Sequence, residues 1–341
     1  MIINILTDMN QKCLLPFKKG AYRLLTGFLF ILAFSFSACE SGAHETSPSQ
    51  DRATTSENNI RVLRSPSNKL VNKLLLTDPR GESQQLDGLK SKINAMISGY
   101  NAQRTTSAAS VYYMDLKSGA WFAINGNEPY TPGSLIKLPV CMSFFKLDEK
   151  SPGVMDRKIF FDPSMQGVPS QTFEVDPIKP GQSYSMSELI RRVLKDSDNY
   201  STSLINYQID YESLHKLYRE LDQPIPDMHD LSYTSNVIDY SKFLHVLYNG
   251  TWLNERNSEA VLSLLAESSF NEGLTKLLPK DILVPRKFGE YGMQEIKQWH
   301  ESGIVYAPNG HYLVTIMTKG YNRDNLRSVI SELSKAIYEG R

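Results

Sequence analysis

Tyr130-Thr131-Pro132-Gly133-Ser134-Leu135-Ile136-Lys137-Leu138-Pro139-Val140-Cys141 is the stretch on which the reading of this chain turns. A proline–glycine turn leads into an apolar helical run, with a serine and a lysine three positions apart at its start. On a helix that spacing sets the hydroxyl and the amine on one face. A lysine taken out of water loses basicity and can accept the serine proton near neutral pH, which is what a nucleophilic serine needs. The start of a helix also offers unpaired backbone N–H groups to a developing oxyanion. Alone, the spacing says little, because a surface serine beside a salt-bridging lysine has the same signature. Cys141, seven residues after Ser134 and on the same helical face, reads as a packed core thiol.

Two further triplets lie downstream. Ser197-Asp198-Asn199 follows the helical pattern Leu189-Ile190-Arg191-Arg192-Val193-Leu194. Such a triplet commonly caps a helix or makes a turn. Its functional reading is a loop whose Ser and Asn point into a cleft, to relay a proton and orient a substrate amide. Lys287-Phe288-Gly289 follows Ile282-Leu283-Val284-Pro285-Arg286 and reads as part of a strand. A cation beside a small residue on an edge strand suits an extended acyl substrate with a negative terminus; a solvated lysine at a strand end is the plainer alternative.

The flanking sequence predicts how these triplets meet. Leu86, Leu89, Ile93 and Ile97 recur at helical spacing and predict an amphipathic helix ending near Tyr100. The β-rich runs 110–114 and 120–124 flank Asp115-Leu116-Lys117-Ser118-Gly119 and predict a hairpin. A second hairpin is signalled by 303–306 and 312–317 around Pro308-Asn309-Gly310. A last helix carries Leu326, Val329, Ile330, Leu333 and Ile337 on one stripe, and 187–194, 202–209 and 237–247 have helical patterns. Strands at both ends with helices between predict one antiparallel sheet built from the two termini, a helical lobe, and a cleft where they meet.

A serine-x-x-lysine, then Ser-Asp-Asn, then a Lys-x-Gly strand is the motif set of class A β-lactamases and penicillin-binding proteins. The chain resembles the class A β-lactamase family, within the wider superfamily of penicillin-binding-protein-like serine hydrolases. The likeness extends to Asn125, Glu128-Pro129, Tyr233-Thr234-Ser235-Asn236 and His300-Glu301-Ser302-Gly303-Ile304-Val305-Tyr306, and spans residues 86–341. It implies an α/β (α+β) fold, a three-layer sandwich on an antiparallel sheet plus an all-helical lobe. It also implies roles. Ser134 is the acylated nucleophile and Lys137 its base or part of the base network. Ser197 passes a proton to the leaving nitrogen, and Asn199 holds the substrate amide or Lys137. Lys287, with Gly289 beside it, meets the substrate carboxylate and tunes Ser197. The backbone N–H groups of Ser134 and Glu290 form the oxyanion hole.

Two departures qualify that expectation. The family carries Thr or Ser between the lysine and the glycine, where this chain has Phe288, a bulky ring in the slot of a hydroxyl. Losing one charge-assisted hydrogen bond costs on the order of 1.5–3 kcal/mol. The substrate carboxylate is then held differently, with Arg286 a candidate, or the substrate differs. The family also needs a loop glutamate that activates the deacylating water, in a segment ending acidic-x-x-Leu-Asn. The corresponding residues 220–231 are few and lack that pattern. Asp227, His229 and Asp230 are candidate water activators, though each reads first as a loop cap or surface residue. Without a positioned base the acyl-enzyme would persist, since general-base help is worth ~10²–10⁴-fold. The expected activity is acyl-enzyme formation at Ser134 with a β-lactam and slow hydrolysis. The alternatives are a D-Ala-D-Ala peptidase or transpeptidase acting on peptidoglycan peptides, and a catalytically decayed cell-wall-binding protein.

Composition and the N-terminal segment bound the rest. Lys12, Lys18, Lys19 and Arg23 precede an apolar run, 24–36, that ends Phe36-Ser37-Ala38-Cys39. At about 1.5 Å per residue the run falls short of the ~30 Å hydrocarbon core. It predicts a signal peptide over 1–38, and its end resembles a bacterial lipobox, which implies lipidation at Cys39. Residues 39–68 are rich in Ser, Thr, Pro and Asn and predict a disordered tether; 69–341 is then the catalytic-type domain. The protein is expected to be exported and held at an envelope membrane by the lipid anchor alone. The 341 residues hold 37 Lys and Arg against 37 Asp and Glu. Removal of 1–38 takes away four basic residues and one acidic one, leaving 33 against 36. Neither balance has the basic excess of a nucleic-acid binder. No phosphate-binding glycine motif, HExxH or cysteine pairing of zinc type occurs, so neither metal nor organic cofactor is expected.

Overall fold

The computed structural model describes residues 60–65 and 73–79 and, leaving aside 166–167, 169–172, 174, 228–231 and 293–294, residues 81–341. The expected signal peptide, Cys39, His229 and Asp230 lie outside the described residues.

Ile60–Ser65 (β1) and Lys73–Pro79 (β2) pair as an antiparallel ribbon. Within the tether expected over 39–68, Ile60–Ser65 is instead a strand, and Leu63 packs on a core that buries Leu75 and Leu76. These few apolar residues are diluted by the polar composition around them. Asp87–Ala102 (α1) follows, burying Leu89, Ile93 and Ile97 as their spacing predicts. Ala108–Asp115 (β3) and Trp121–Ile124 (β4) form the first hairpin, with Gly119 at φ +74° in its turn. The lobe is then built from Lys137–Lys150 (α2), a short ribbon of Lys158–Phe160 (β5) and Ser183–Ser185 (β6), and five helices. These are Met186–Lys195 (α3), Asn199–Asn206 (α4), Tyr211–Glu220 (α5), Val237–Tyr248 (α6) and Glu255–Ala266 (α7). Arg286–Tyr291 (β7), Lys297–Ala307 (β8), Gly310–Gly320 (β9) and Arg323–Gly340 (α8) complete the chain.

The five-stranded sheet has the order β4-β3-β9-β8-β7. All its pairings are antiparallel, and β3 lies against β9 with Val111 opposite Ile316. The hairpins from the two ends of the domain thus zip together, as the sequence predicts. Both faces are covered. Tyr112, Met114, Leu313 and Met317 face one core with the helices of the lobe. Val111, Tyr113, Val314 and Ile316 face a second core against α1 and α8. Leu326, Val329, Ile330, Leu333 and Ile337 of α8 are buried in that second core, each worth about 1.5–3 kcal/mol.

The alternation of strand side chains matters most on the edge strand β7. Lys287 and Gly289 face the lobe, while Phe288 joins the second core. β7 comes so close to the turn Gly133–Ile136 that neither chain tolerates a side chain at the contact. A Cβ on Gly289 would lie 2.5 Å from Pro132 O and 2.8 Å from Leu135 N. One on Gly133, whose φ is +52°, would lie 2.1 Å from Glu290 O and 3.2 Å from its N. Gly289→Ala must therefore push the two segments apart. The expected loss is about 1–3 kcal/mol of stability in urea denaturation, together with a slower reaction of Ser134 with a serine-directed probe. Unchanged stability and reactivity would show that the contact is not needed.

Candidate active site

Ser134 sits on a 3₁₀ turn, Gly133–Ile136, that feeds α2 at Lys137. In that geometry residues three apart are eclipsed, so the hydroxyl and the amine share a face even more directly than on an α-helix. Tyr240 of α6 donates its hydroxyl proton to Leu135 O at 2.9 Å and fixes the turn. Tyr130 exchanges two backbone hydrogen bonds with Ser235, both 2.8 Å, and Asn236 caps α6 through Asp239 N–H. The 233–236 stretch thus anchors the approach to Ser134. Tyr240 escapes sequence reading, because one tyrosine on a mostly apolar helix carries no motif.

The first side chain of α2, Lys137, is buried, and its three N–H bonds are all used. Nζ donates to Ser197 O at 2.6 Å, to Asn199 Oδ1 at 2.7 Å and to Ser197 Oγ at 3.2 Å. Lys287 Nζ reaches the same Ser197 Oγ at 2.9 Å and Phe288 O at 2.9 Å. Two ammonium groups thus converge on one hydroxyl. Burial pushes Lys137 down to about 8, with the charge of Asp198 working the other way. Burial also pushes Lys287 well below the usual lysine range, and the positive charge of Lys137 adds to the shift. Ser134 is half-buried.

Ser197 and Asn199 reach this point through a tight reversal between α3 and α4. Ser197 has φ +56°, unusual for a residue with a side chain and costing about 1–3 kcal/mol. Asp198 caps α4, accepting from Tyr200 N–H at 3.0 Å and Ser201 N–H at 3.1 Å. Asp198 is thus the helix cap, and its neighbours Ser197 and Asn199 accept hydrogen bonds from the lysines. Cys141 is fully buried and its thiol is pushed up to about 12, a neutral packed group. Glu290 lies with its peptide against Gly133, one residue before Ser134, and its side chain approaches Arg323 Nε at 3.5 Å.

Several expected features are arranged differently. Lys287, expected to meet a substrate carboxylate and tune Ser197, has no exposed surface, and its Nζ is bonded to Ser197 Oγ and Phe288 O. Nor is Arg286 open to that carboxylate. It donates to Phe270 O, to Val284 O at 3.1 Å and to Ser268 O at 3.2 Å, and its Nε lies 3.4 Å from Glu301 Oε1. Glu301 is itself fully buried and raised to about 7 by that burial. The Phe288 ring is only 3% exposed. It packs 4.6 Å from Phe270 and 5.9 Å from Trp299, nearly parallel to the latter at 5°. Lys287 Nζ rests 4.3 Å over the ring centre. The ring is thus a residue of the second core.

The described part of the 220–231 loop offers no carboxylate turned to the lysines. Glu220 is buried and accepts from Trp252 Nε1 at 2.8 Å, Asp222 pairs with Arg61, and Asp227 is exposed. Among the described residues no three His, Cys, Asp or Glu side chains gather as a metal ion would require.

A family model described as "Beta-lactamase enzyme family" matches residues 88–340. No curated protein matches the chain. Among solved structures, the acyl-enzyme complex of a PBP-A mutant with penicillin G is 23% identical, with TM-score 0.63, covering 74% of this chain and 96% of that one. The TLA-1 extended-spectrum β-lactamase is 19% identical, with TM-score 0.64 and coverage of 74% and 98%. A β-lactamase from Chitinophaga pinensis is 18% identical, with TM-score 0.63 and the same coverage. At these identities the structures establish a shared fold.

If Phe288 is a core ring, restoring a hydroxyl there is harmful. Phe288→Thr is expected to lower stability by about 3–5 kcal/mol in urea denaturation, with no gain in reactivity at Ser134. A stable variant that reacts faster would mean the ring occupies the binding slot.

Proposed function

The chain belongs to the β-lactamase enzyme family, and on that premise we propose that it is a serine hydrolase whose Ser134 opens a β-lactam ring and retains the acyl group. The observation that carries this reading is the convergence of Lys137 and Lys287 on Ser197 Oγ. Ser134 Oγ attacks the lactam carbonyl carbon while its proton passes to neutral Lys137. With a value of about 8, roughly a tenth of Lys137 is neutral at pH 7. As the C–N bond breaks, Ser197, whose Oγ is bonded by Lys287 Nζ, gives its proton to the leaving nitrogen. Asn199 keeps Lys137 aimed, and the N–H groups of Ser134 and Glu290 receive the oxyanion, with Gly289 allowing the approach. The bonding of Lys137 and Lys287 to Ser197, and of Lys137 to Asn199, supports activity over a decayed binding role.

Release of the acyl group is slow in this reading. The carboxylates on the described part of the loop are engaged elsewhere or exposed, so none is poised to activate water. The same feature favours a peptidoglycan D-Ala-D-Ala peptide as a second substrate, since a peptidase-like protein traps β-lactams stoichiometrically. The penicillin adduct of PBP-A supports that reading by analogy. The proposal also takes the protein as exported and lipid-anchored through Cys39, which the run Phe36-Ser37-Ala38-Cys39 supports.

The test is an intact-mass time course with a fluorescent penicillin. One adduct is expected, slow to decay and absent in Ser134→Ala. Rapid return to the unmodified mass would make the protein an efficient lactamase, and no adduct at all would sink the proposal. The adduct rate should also rise with pH through about 8 and then level, because the neutral lysine is the reactive form. A rate indifferent to pH across that range would remove Lys137 as the base.

A further inference from the structure

We propose that Glu301 is a positioning residue for the reaction at Ser134: from the face of the sheet turned away from the lobe, it clamps Arg286 and so fixes where Lys287 stands against Ser197. The inference rests on acylation of Ser134 as put forward above.

Strand β7 lies at the edge of the sheet, so main-chain pairing holds it from one side only, through β8. In that pairing Arg286 stands opposite Gly303, and Phe288 opposite Glu301. Side chains alternate along a strand. Arg286, Phe288 and Glu301 therefore share the face of the second core, while Lys287 reaches Ser197 from the other. Gly303 makes room for this arrangement, because a Cβ there would lie 3.1 Å from Arg286 Cβ.

Glu301 has no exposed surface, and its two oxygens face different partners. Oε2 accepts from Leu274 N–H at 2.8 Å, and Oε1 lies 3.4 Å from Arg286 Nε. The guanidinium also donates to the carbonyl oxygens of Ser268, Phe270 and Val284. The carboxylate thus ties the start of β7 to β8 and to the 268–274 segment at once. Gly273 lets that segment close in, since a Cβ there would lie 1.8 Å from Glu301 Oε2. A buried ion pair adds little net stability over apolar residues of the same volume. What charge-assisted bonds of fixed direction supply is one geometry, and here it reaches the site within one residue. Lys287 Nζ stands 2.9 Å from Ser197 Oγ, and a shift of about 0.7 Å would take it beyond hydrogen-bond range. Misplacement by about 1 Å, caused far from the chemistry, can cost ~10²-fold in rate.

The experiment follows acylation by a fluorescent penicillin at rising concentration, which separates its binding constant from the first-order rate of adduct formation at saturation. Glu301→Gln keeps the shape of the side chain and removes its charge. That change leaves Arg286 buried without a counter-charge, so the double variant Arg286→Met/Glu301→Gln is measured beside it. Urea denaturation reports whether each variant is folded. The saturated rate is expected to fall by about tenfold or more in every folded variant, with a smaller change in the binding constant. A merely structural glutamate would lower the urea midpoint and leave the saturated rate of the folded protein unchanged. That result overturns the inference while the acylation of Ser134 stands. Failure of both variants to fold also overturns it, by making the pair a requirement of the fold and not of the site. No adduct on the folded native protein removes the acylation reading and this inference with it.

Discussion

Two lysines held out of water against one serine hydroxyl are the constraint on which the rest of this structure depends. Two ammonium groups that share Ser197 Oγ repel each other, and each pays a desolvation penalty that rises with burial. The network accommodates them with acceptors for five of their six N–H bonds, Ser197 O, Ser197 Oγ and Asn199 Oδ1 for Lys137 and Ser197 Oγ and Phe288 O for Lys287, whose Nζ also lies 4.3 Å over the Phe288 ring. The tension is chemically useful. Burial lowers Lys137 to about 8, and burial together with the charge of Lys137 lowers Lys287 further below the ordinary lysine range. Base and acid come from one electrostatic arrangement.

Three separate pieces of chain must meet for this to happen, and the fold is organised around that meeting. The 3₁₀ turn brings Ser134 and Lys137, the α3–α4 reversal brings Ser197 and Asn199, and the edge strand brings Lys287. Gly133 and Gly289 let the turn and the strand touch through their backbones, and Tyr240 and the Tyr130–Ser235 pair hold the turn from the lobe side. On the far side of the sheet, Phe288 in its aromatic cluster and Arg286 in its ring of carbonyls fix the strand on which Lys287 is carried. Residues on both sides of Lys287 in sequence thus serve to position it.

Much of this was legible before any coordinates. The sheet from both termini followed from two turn-bounded hairpins, and α8 from one apolar stripe. The candidate site residues came from three triplets, each weak alone and informative in order, and the fold brings Lys137, Ser197, Asn199 and Lys287 together. What was hidden was orientation. A strand places successive side chains on opposite faces, so Phe288 could read as blocking a slot when it faces a core. Arg286 could read as a substrate cation because nothing in the sequence announces the carbonyls of Ser268, Val284 and Phe270 or a buried Glu301. The ribbon β1–β2 was hidden for another reason: its few apolar residues lie amid polar composition, and only pairing across the intervening segment makes them a folded element. Tyr240 shows the same limit, since a hydrogen bond to a residue 105 positions away leaves no local trace.

The central claim is the lowered basicity of Lys137. It can be read directly by following the side-chain Cε resonances of ¹³C-labelled lysines with pH, with Lys137 and Lys287 assigned by substitution to arginine. The account predicts one resonance titrating near 8 and a second also displaced below the ordinary lysine range, the two moving as a coupled pair. Both lysines titrating with the exposed ones, at about 10.4, would contradict it.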